Sequence, residues 1–485
     1  MNGPLKRAAV ACLVMFGLLM LNVNYVQAIK AESLNDDARN KRNFFDRYEV
    51  QRGRITAGGT ILAQSIEHKK GDYRFTREYP DGKVFAHVTG YFSPESESAI
   101  ERATNSYLDA SNPDLLLRKS IDLFTGEPTR GANVEVTINP KAQKAAHEAL
   151  SASGKRGAVV ALDPKTGAIL TMVSLPTYDP NVLSGTNKKT VFAAYNKLDE
   201  DKTNGPLVNR AINRTYPPGS TYKVVTAAAF LEDDSSRDGQ TIVPAPQVLD
   251  LPNTTADLPN SGGAACGGGQ VPLVYALERS CNTPFGKIGM DLGYDRMAEQ
   301  AKKFGAGEPL SIPMGVSQSD IGPQEDAAAL AQASIGQRSN QMTPLQMAMV
   351  AAGIANDGKV MKPYLVQKIT DAKNDTVDEA EPEELSEAIS PETAGKLKQM
   401  MVSVVNNGTA NRAQIPGVEV GGKTGTAQTT PGKAPHAWFI SFAPAADPKV
   451  AVAVIVESGS AGTEASGGQT AAPIAKAVME AVLSK

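Results

Sequence analysis

Strand-like sequence stands at both ends of residues 155–485 and helical sequence fills the middle, and this arrangement constrains the fold more than any other feature. Residues 158–162 and 168–173 read as strands around the turn Asp163-Pro164-Lys165-Thr166-Gly167. Residues 418–428, 437–442 and 450–456 alternate in the same way, ahead of an Ala-rich helix at about 472–483. Helices are predicted between the two strand groups: after Lys223, at 273–279, 284–292 and 343–356, and from Ser390-Pro391-Glu392 to a stop at Asn406-Asn407-Gly408. A sheet whose strands come from distant sequence must be antiparallel here and flanked by those helices, an α+β fold.

Within that frame Pro217-Pro218-Gly219-Ser220-Thr221-Tyr222-Lys223 runs straight into an apolar helical segment. Ser220 then lies at a helix start, where free N–H groups favour developing negative charge. Lys223 shares its helix face, with Cβ atoms roughly 5–6 Å apart. In a dry pocket the amine loses proton affinity and can accept the serine proton. A structural Ser cap beside a surface lysine is the simpler account of an isolated Ser-x-x-Lys, so the rest of the chain decides.

Two short patterns follow it: Ser280-Cys281-Asn282 at a helix-to-helix junction, and Lys423-Thr424-Gly425-Thr426 in a strand. Each has a decoy, Ser33-Leu34-Asn35 beside the apolar N-terminus and Lys165-Thr166-Gly167 in a hairpin turn, both read as structural. Residues 417–424 also match the phosphate-loop pattern, but Pro416 before it and the glycine and prolines after it leave no room for the helix such a loop must open. The chemistry of the trio is coherent. Lys223 deprotonates Ser220 for attack on a carbonyl, and the N–H groups of Ser220 and Thr426 form an oxyanion hole. Ser280 and Lys423 relay the proton to a leaving amine, Asn282 orients a substrate amide, and Lys423, Thr424 and Thr426 offer a cation and hydroxyls to a terminal carboxylate, with Gly425 in the same substrate-binding stretch.

The N-terminus sets the compartment. Lys6 and Arg7 precede an apolar run at 8–21, or 22 residues if read through Ile29, enough for about 30 Å of hydrocarbon. Val26-Gln27-Ala28 resembles a signal-peptidase site, so anchor and cleaved signal both stand; either way the positive flank directs the remainder out of the cytoplasm. There Cys266 and Cys281 can form a disulfide, with two unpaired thiols as the alternative. Three cysteines and four histidines show no zinc spacing, and no metal or cofactor is expected. A net charge of −3 gives no case for nucleic acid.

Residues 30–154 carry no chemical constellation. Gly58-Gly59 reads as a turn, residues 73–79 and 84–92 as a hairpin around Pro80-Asp81-Gly82, Pro94 as the opening of a helix, and Asn139-Pro140 as the cap of another ending near Gly154. The Gly-rich stretch at 261–269 and the eight-carboxylate stretch at 371–387 read as loops.

Ser-x-x-Lys, Ser-x-Asn and Lys-Thr-Gly in this order form the pattern of penicillin-binding proteins and class A β-lactamases. With Arg52-Gly53-Arg54-Ile55, Leu175-Pro176-Thr177-Tyr178-Asp179-Pro180-Asn181, Gly336-Gln337 and Thr343-Pro344-Leu345-Gln346, the sequence resembles the class B penicillin-binding proteins, most of all the actinobacterial penicillin-binding protein A group. The Asp-Arg-Asn-Gly that often follows the first of these family motifs is replaced by Thr56-Ala57-Gly58-Gly59.

The resemblance implies a β-lactamase/transpeptidase-like domain at 155–485, a non-catalytic pedestal or docking domain at 30–154, an anchor at 8–29 and a cytoplasmic tail at 1–7. It implies a D,D-transpeptidase that cross-links peptidoglycan stem peptides through a Ser220 acyl-enzyme, is acylated by β-lactams, and has a membrane glycan polymerase as partner. A D,D-carboxypeptidase shares the motifs. A β-lactamase of class A needs an added glutamate, and no Glu-x-x-x-Asn lies between Asn282 and Lys423. A β-lactam sensor or division scaffold is the non-enzymatic alternative.

Overall fold

The computed structural model describes residues 3–30, 48–70, 73–115, 129–428, 434–458 and 467–484. Its N-terminal helix, Gly3–Asn24, continues as a wider turn through Ile29. The 27 residues have a mean hydropathy of 2.0 in their most apolar window and bury nothing against the protein, so they are long and apolar enough to cross a membrane.

A six-stranded sheet follows, in the order Thr376–Glu379, Val366–Thr370, Asn133–Val136, Ile55–Ala57, Thr60–Glu67 and Phe75–Glu78. The turn at Gly58-Gly59 forms as expected, both glycines having positive φ. Arg52 and Arg77 converge on buried Glu101 at 2.8 and 2.6 Å, so the Arg52-Gly53-Arg54-Ile55 motif serves the interior of this unit.

Several expectations fail here. Residues 84–92 are not a strand: Gly82–Thr89 is a helix whose Phe85, Ala86, Val88 and Thr89 are buried. A short apolar run suits either element, and the Phe75–Glu78 strand already pairs with Thr60–Glu67. The helix placed at Pro94 starts only at Ala99 and breaks at Thr104. Residues 371–387 are not one loop, because Thr376–Glu379 closes the edge of this sheet and Glu384–Glu387 pairs with Lys359–Met361. Solvated edge strands tolerate carboxylates, which also deter further pairing. The Gly-rich stretch at 261–269 is framed by short pairings, Asp257–Pro259 with Val248–Asp250 before it and Gly269–Pro272 with Ile242–Ala245 from its last residue.

The second sheet has five antiparallel strands in the order Gly421–Ala427, His436–Ala443, Val450–Val456, Gly157–Leu162 and Ile169–Leu175. Strands from both ends of the long segment do join. Every residue of Val450–Val456 is fully buried, which requires cover on both faces. Helices Pro344–Ala355 and Gly467–Leu483 both pack against that strand. Pro344–Ala355 is buried along its whole length and starts from Thr343, whose side chain accepts from Gln346 N. The last helix begins at Gly467, earlier than the Ala-rich composition suggests.

Candidate active site

Ser220 sits in a single tight turn, Gly219–Tyr222, that leads into the α-helix Lys223–Asp233. Glycine is required on both sides of that turn. Gly219 has φ +55 and a Cβ there would lie 2.6 Å from Thr426 O; Gly336 has φ +75 and a Cβ there would lie 2.1 Å from Gly219 O. Gly219 N donates to Gly336 O at 2.8 Å, so the nucleophile turn is wedged between the 336 loop and the Lys423 strand. Trp438, the only tryptophan, donates from Nε1 to Pro217 O at 3.0 Å on the next strand over. Tyr216 exchanges backbone hydrogen bonds with Met342, and its hydroxyl donates to Glu457, which is also paired with Arg210 and Arg156.

Lys223 is fully buried. Its Nζ donates to Ser280 O at 2.6 Å and to Asn282 Oδ1 at 2.8 Å. A neutral amine has two N–H donors and one lone pair; with both donors placed, the lone pair is available to a proton from the half-buried Ser220, three residues earlier in the preceding turn. Burial, then the nearby Lys423 charge, hold Lys223 well below the ordinary lysine range. Lys423 is also fully buried and donates to Ser280 Oγ at 2.8 Å and to Thr424 O at 2.9 Å. Burial pushes it down to about 7. The two buried ammoniums repel each other, so the pair as a whole is disposed to give up a proton.

The second motif is held in an unusual shape. Ser280 has φ +57, a region that costs a non-glycine residue of order 1–3 kcal/mol and persists only where neighbours fix it. That conformation presents its carbonyl to Lys223 and its hydroxyl to Lys423. Asn282 spends one acceptor pair on Lys223 and one N–H on Pro259 O at 2.9 Å, so one of each remains for substrate. On the third motif Thr424 Oγ1 lies 2.6 Å from Thr409 Oγ1, while Gly425 is buried against Thr221 and Trp438. Thr426 is half-buried, its carbonyl accepting from Gln337 Nε2 at 3.3 Å.

Ser220, Lys223, Ser280, Asn282, Lys423, Thr424, Gly425 and Thr426 are therefore brought together from four elements. Cys266 and Cys281 form a disulfide with Cα atoms 6.1 Å apart. Lys165-Thr166-Gly167 stays apart, Gly167 having φ +82 in a hairpin turn; Ser33-Leu34-Asn35 lies outside the described residues; and the phosphate-loop match at 417–424 fails because Lys423-Thr424 lies inside a strand, not at a helix start. Among the described residues no cluster of His, Cys, Asp or Glu suits a metal ion. Sequence reasoning missed Asn260, Thr409, Trp438 and the Glu457 network. A lone tryptophan at the second position of a predicted strand is a usable hint for one of them; the others carry no local pattern.

Residues 157–480 match the penicillin binding protein transpeptidase domain, and residues 52–134 match the penicillin binding protein A dimerisation domain. The chain is similar to the peptidoglycan D,D-transpeptidase PbpA of Mycolicibacterium smegmatis, 45% identical over 100% of this chain and 99% of that one. Its fold is similar to penicillin-binding protein A of Mycobacterium tuberculosis in a ceftriaxone acyl-enzyme complex: TM-score 0.87, 43% identity, 91% of this chain and 100% of that one covered. The penicillin G acyl-enzyme complex of the same protein gives TM-score 0.85 at 43% identity, over 90% and 100% of the two chains.

Proposed function

We propose a reaction course from one premise: this chain belongs to the class B penicillin-binding proteins, in their penicillin-binding protein A group. It is a peptidoglycan D,D-transpeptidase, working through a serine acyl-enzyme and acylated by β-lactams. Neutral Lys223 takes the Ser220 proton as Oγ attacks the carbonyl carbon of the D-Ala–D-Ala bond. The N–H groups of Ser220 and Thr426 receive the oxyanion, each such donor being worth about 2.7–4 kcal/mol in comparable sites. The proton passes through Ser280, steadied by Lys423, to the leaving nitrogen, and D-Ala departs. The acyl group then moves to an amine of a neighbouring stem peptide. Asn282 holds the peptide amide, and Thr424, Gly425 and Thr426 hold the terminal carboxylate beside the Lys423 charge. The observation that carries this course is the placement of the two Lys223 donors on Ser280 O and Asn282 Oδ1, which leaves its lone pair for Ser220.

The chain divides into a tail at 1–7, an anchor at 8–29, a pedestal at 30–154 and the transpeptidase domain at 155–485, with Val366–Thr370 and Thr376–Glu379 reaching back into the pedestal sheet. Lys6 and Arg7 favour an anchored chain with its catalytic domain outside the cytoplasm. A membrane glycan polymerase is its partner, as the family implies.

The products test the course. A donor ending in D-Ala–D-Ala, supplied with an acceptor amine, should give D-Ala and an amide-linked product in matching amounts. Release of D-Ala with only the hydrolysed donor would make the protein a D,D-carboxypeptidase instead.

A further inference from the structure

The loop ahead of the second motif takes no part in the reaction just described, yet it is fastened to that motif at four points. Asn260 is 6% exposed, and its Oδ1 accepts from Asn282 N at 2.7 Å and from Thr283 N at 3.1 Å. The neighbouring carbonyl, Pro259 O, accepts from Asn282 Nδ2 at 2.9 Å. Cys266, six residues on, is bonded to Cys281, which lies between Ser280 and Asn282.

These contacts decide what the two lysines see. With Asn282 Nδ2 held on Pro259 O, its Oδ1 must face Lys223. Asn260 supplies the first N–H groups of the helix Thr283–Leu292 with an acceptor, because Asn282 itself makes no side-chain cap there. The backbone is thereby fixed directly after Ser280, covalently at Cys281 and by paired hydrogen bonds at 282–283. Ser280 is the residue with φ +57, a conformation that relaxes unless neighbours hold it. Once relaxed, its carbonyl leaves Lys223 and its hydroxyl leaves Lys423.

We propose that Asn260 and the Cys266–Cys281 disulfide form one clamp that positions Ser280 and Asn282, so that acylation of Ser220 responds to the oxidation state of that bond. This rests on the reading of Ser220, Lys223, Ser280 and Lys423 as the reacting groups. A dithiol reductant supplies two electrons and two protons, the bridge becomes two thiols, and the reductant closes to its own disulfide. Neither residue touches substrate; both are positioning residues.

The test is the second-order rate of acylation by a fluorescent penicillin, measured on the full chain. It compares oxidised protein, protein reduced with a dithiol, reduced protein after reoxidation, and the variants Cys266→Ser, Asn260→Ala and Asn260→Asp. Reduction, Cys266→Ser and Asn260→Ala should each slow acylation roughly tenfold or more, the scale expected when a reacting group is displaced by a fraction of an ångström to an ångström. Reoxidation should restore the rate. Asn260→Asp should keep most of it, since a carboxylate accepts from the same two N–H groups and caps a helix as well as Asn. Reversible reduction of the wild-type chain answers the question even if a variant fails to fold. Unchanged rates on reduction and in folded Asn260→Ala, with Ser220→Ala unlabelled, would overturn the clamp alone. Labelling of Ser220→Ala would overturn the site assignment and the clamp with it.

Discussion

Replacing Ser220 by Ala abolishes fluorescent-penicillin labelling and D-Ala release together, by roughly 10⁴-fold or more. Both reactions break an acyl–nitrogen bond at the same Oγ, and no other hydroxyl takes its place. Ser280 Oγ, the nearest alternative in the constellation, is held by Lys423 Nζ at 2.8 Å and lacks a free base. The variant should fold normally, because Ser220 lies half-buried at the cleft and Gly219, which shapes the turn, is untouched. Gel fluorescence after exposure to the labelled penicillin checks it. Persistent labelling would place the nucleophile elsewhere.

Replacing Lys223 by Ala costs roughly 10²–10⁴-fold in acylation, the usual worth of a positioned general base. Lys223→Arg should do no better, since a guanidinium stays protonated and offers no lone pair. The pH profile carries more information than the size of the loss. Lys223 must be neutral to act, and its proton affinity is depressed by burial and by Lys423, so the rate rises with pH as that proton leaves. Lys423 must be charged to support Ser280 and a carboxylate, and burial brings it to about 7, so the rate of the free protein falls again above that pH. A bell follows, its two limbs belonging to the coupled pair. In Lys423→Ala the alkaline limb should vanish and the acid limb should move up, because the charge that depresses Lys223 is gone. Acylation rates between pH 4 and 10 in the three proteins check this. An unchanged acid limb in Lys423→Ala would contradict the electrostatic link between the lysines.

Much of this site was legible in the sequence because its residues sit at positions where local pattern and chemistry coincide. Gly219 and Pro218 mark a forced turn, Lys223 follows at helical spacing, and Lys423 lies in an alternating strand. The order of the motifs separated them from Lys165-Thr166-Gly167, whose turn context was readable from Asp163-Pro164 alone. The five-stranded sheet was legible for a similar reason: four of its strands are apolar runs bounded by turn residues, and the fifth, Gly421–Ala427, carries the Lys423 motif. What the sequence did not disclose depends on contacts between distant segments. The Ser280 conformation depends on Asn260, which announces no role by spacing, whereas the Cys266–Cys281 bond beside it was among the pairings the sequence allowed. The residues at 376–379 read as solvent-facing because they are acidic, yet a sheet edge accepts them once Val366–Thr370 offers its ladder. The helix Gly82–Thr89 reads as a strand in the sequence because a run of eight residues holds too few turns to show its period.

The central claim is that the Ser220 acyl-enzyme hands its acyl group to an amine in preference to water. The most direct measurement is the lifetime of the acyl-enzyme formed from a D-Ala–D-Ala stem-peptide mimic, with and without an acceptor amine. A long-lived species in water is expected, whose decay accelerates with amine concentration and yields the amide. A lifetime set by water and indifferent to the amine would contradict it.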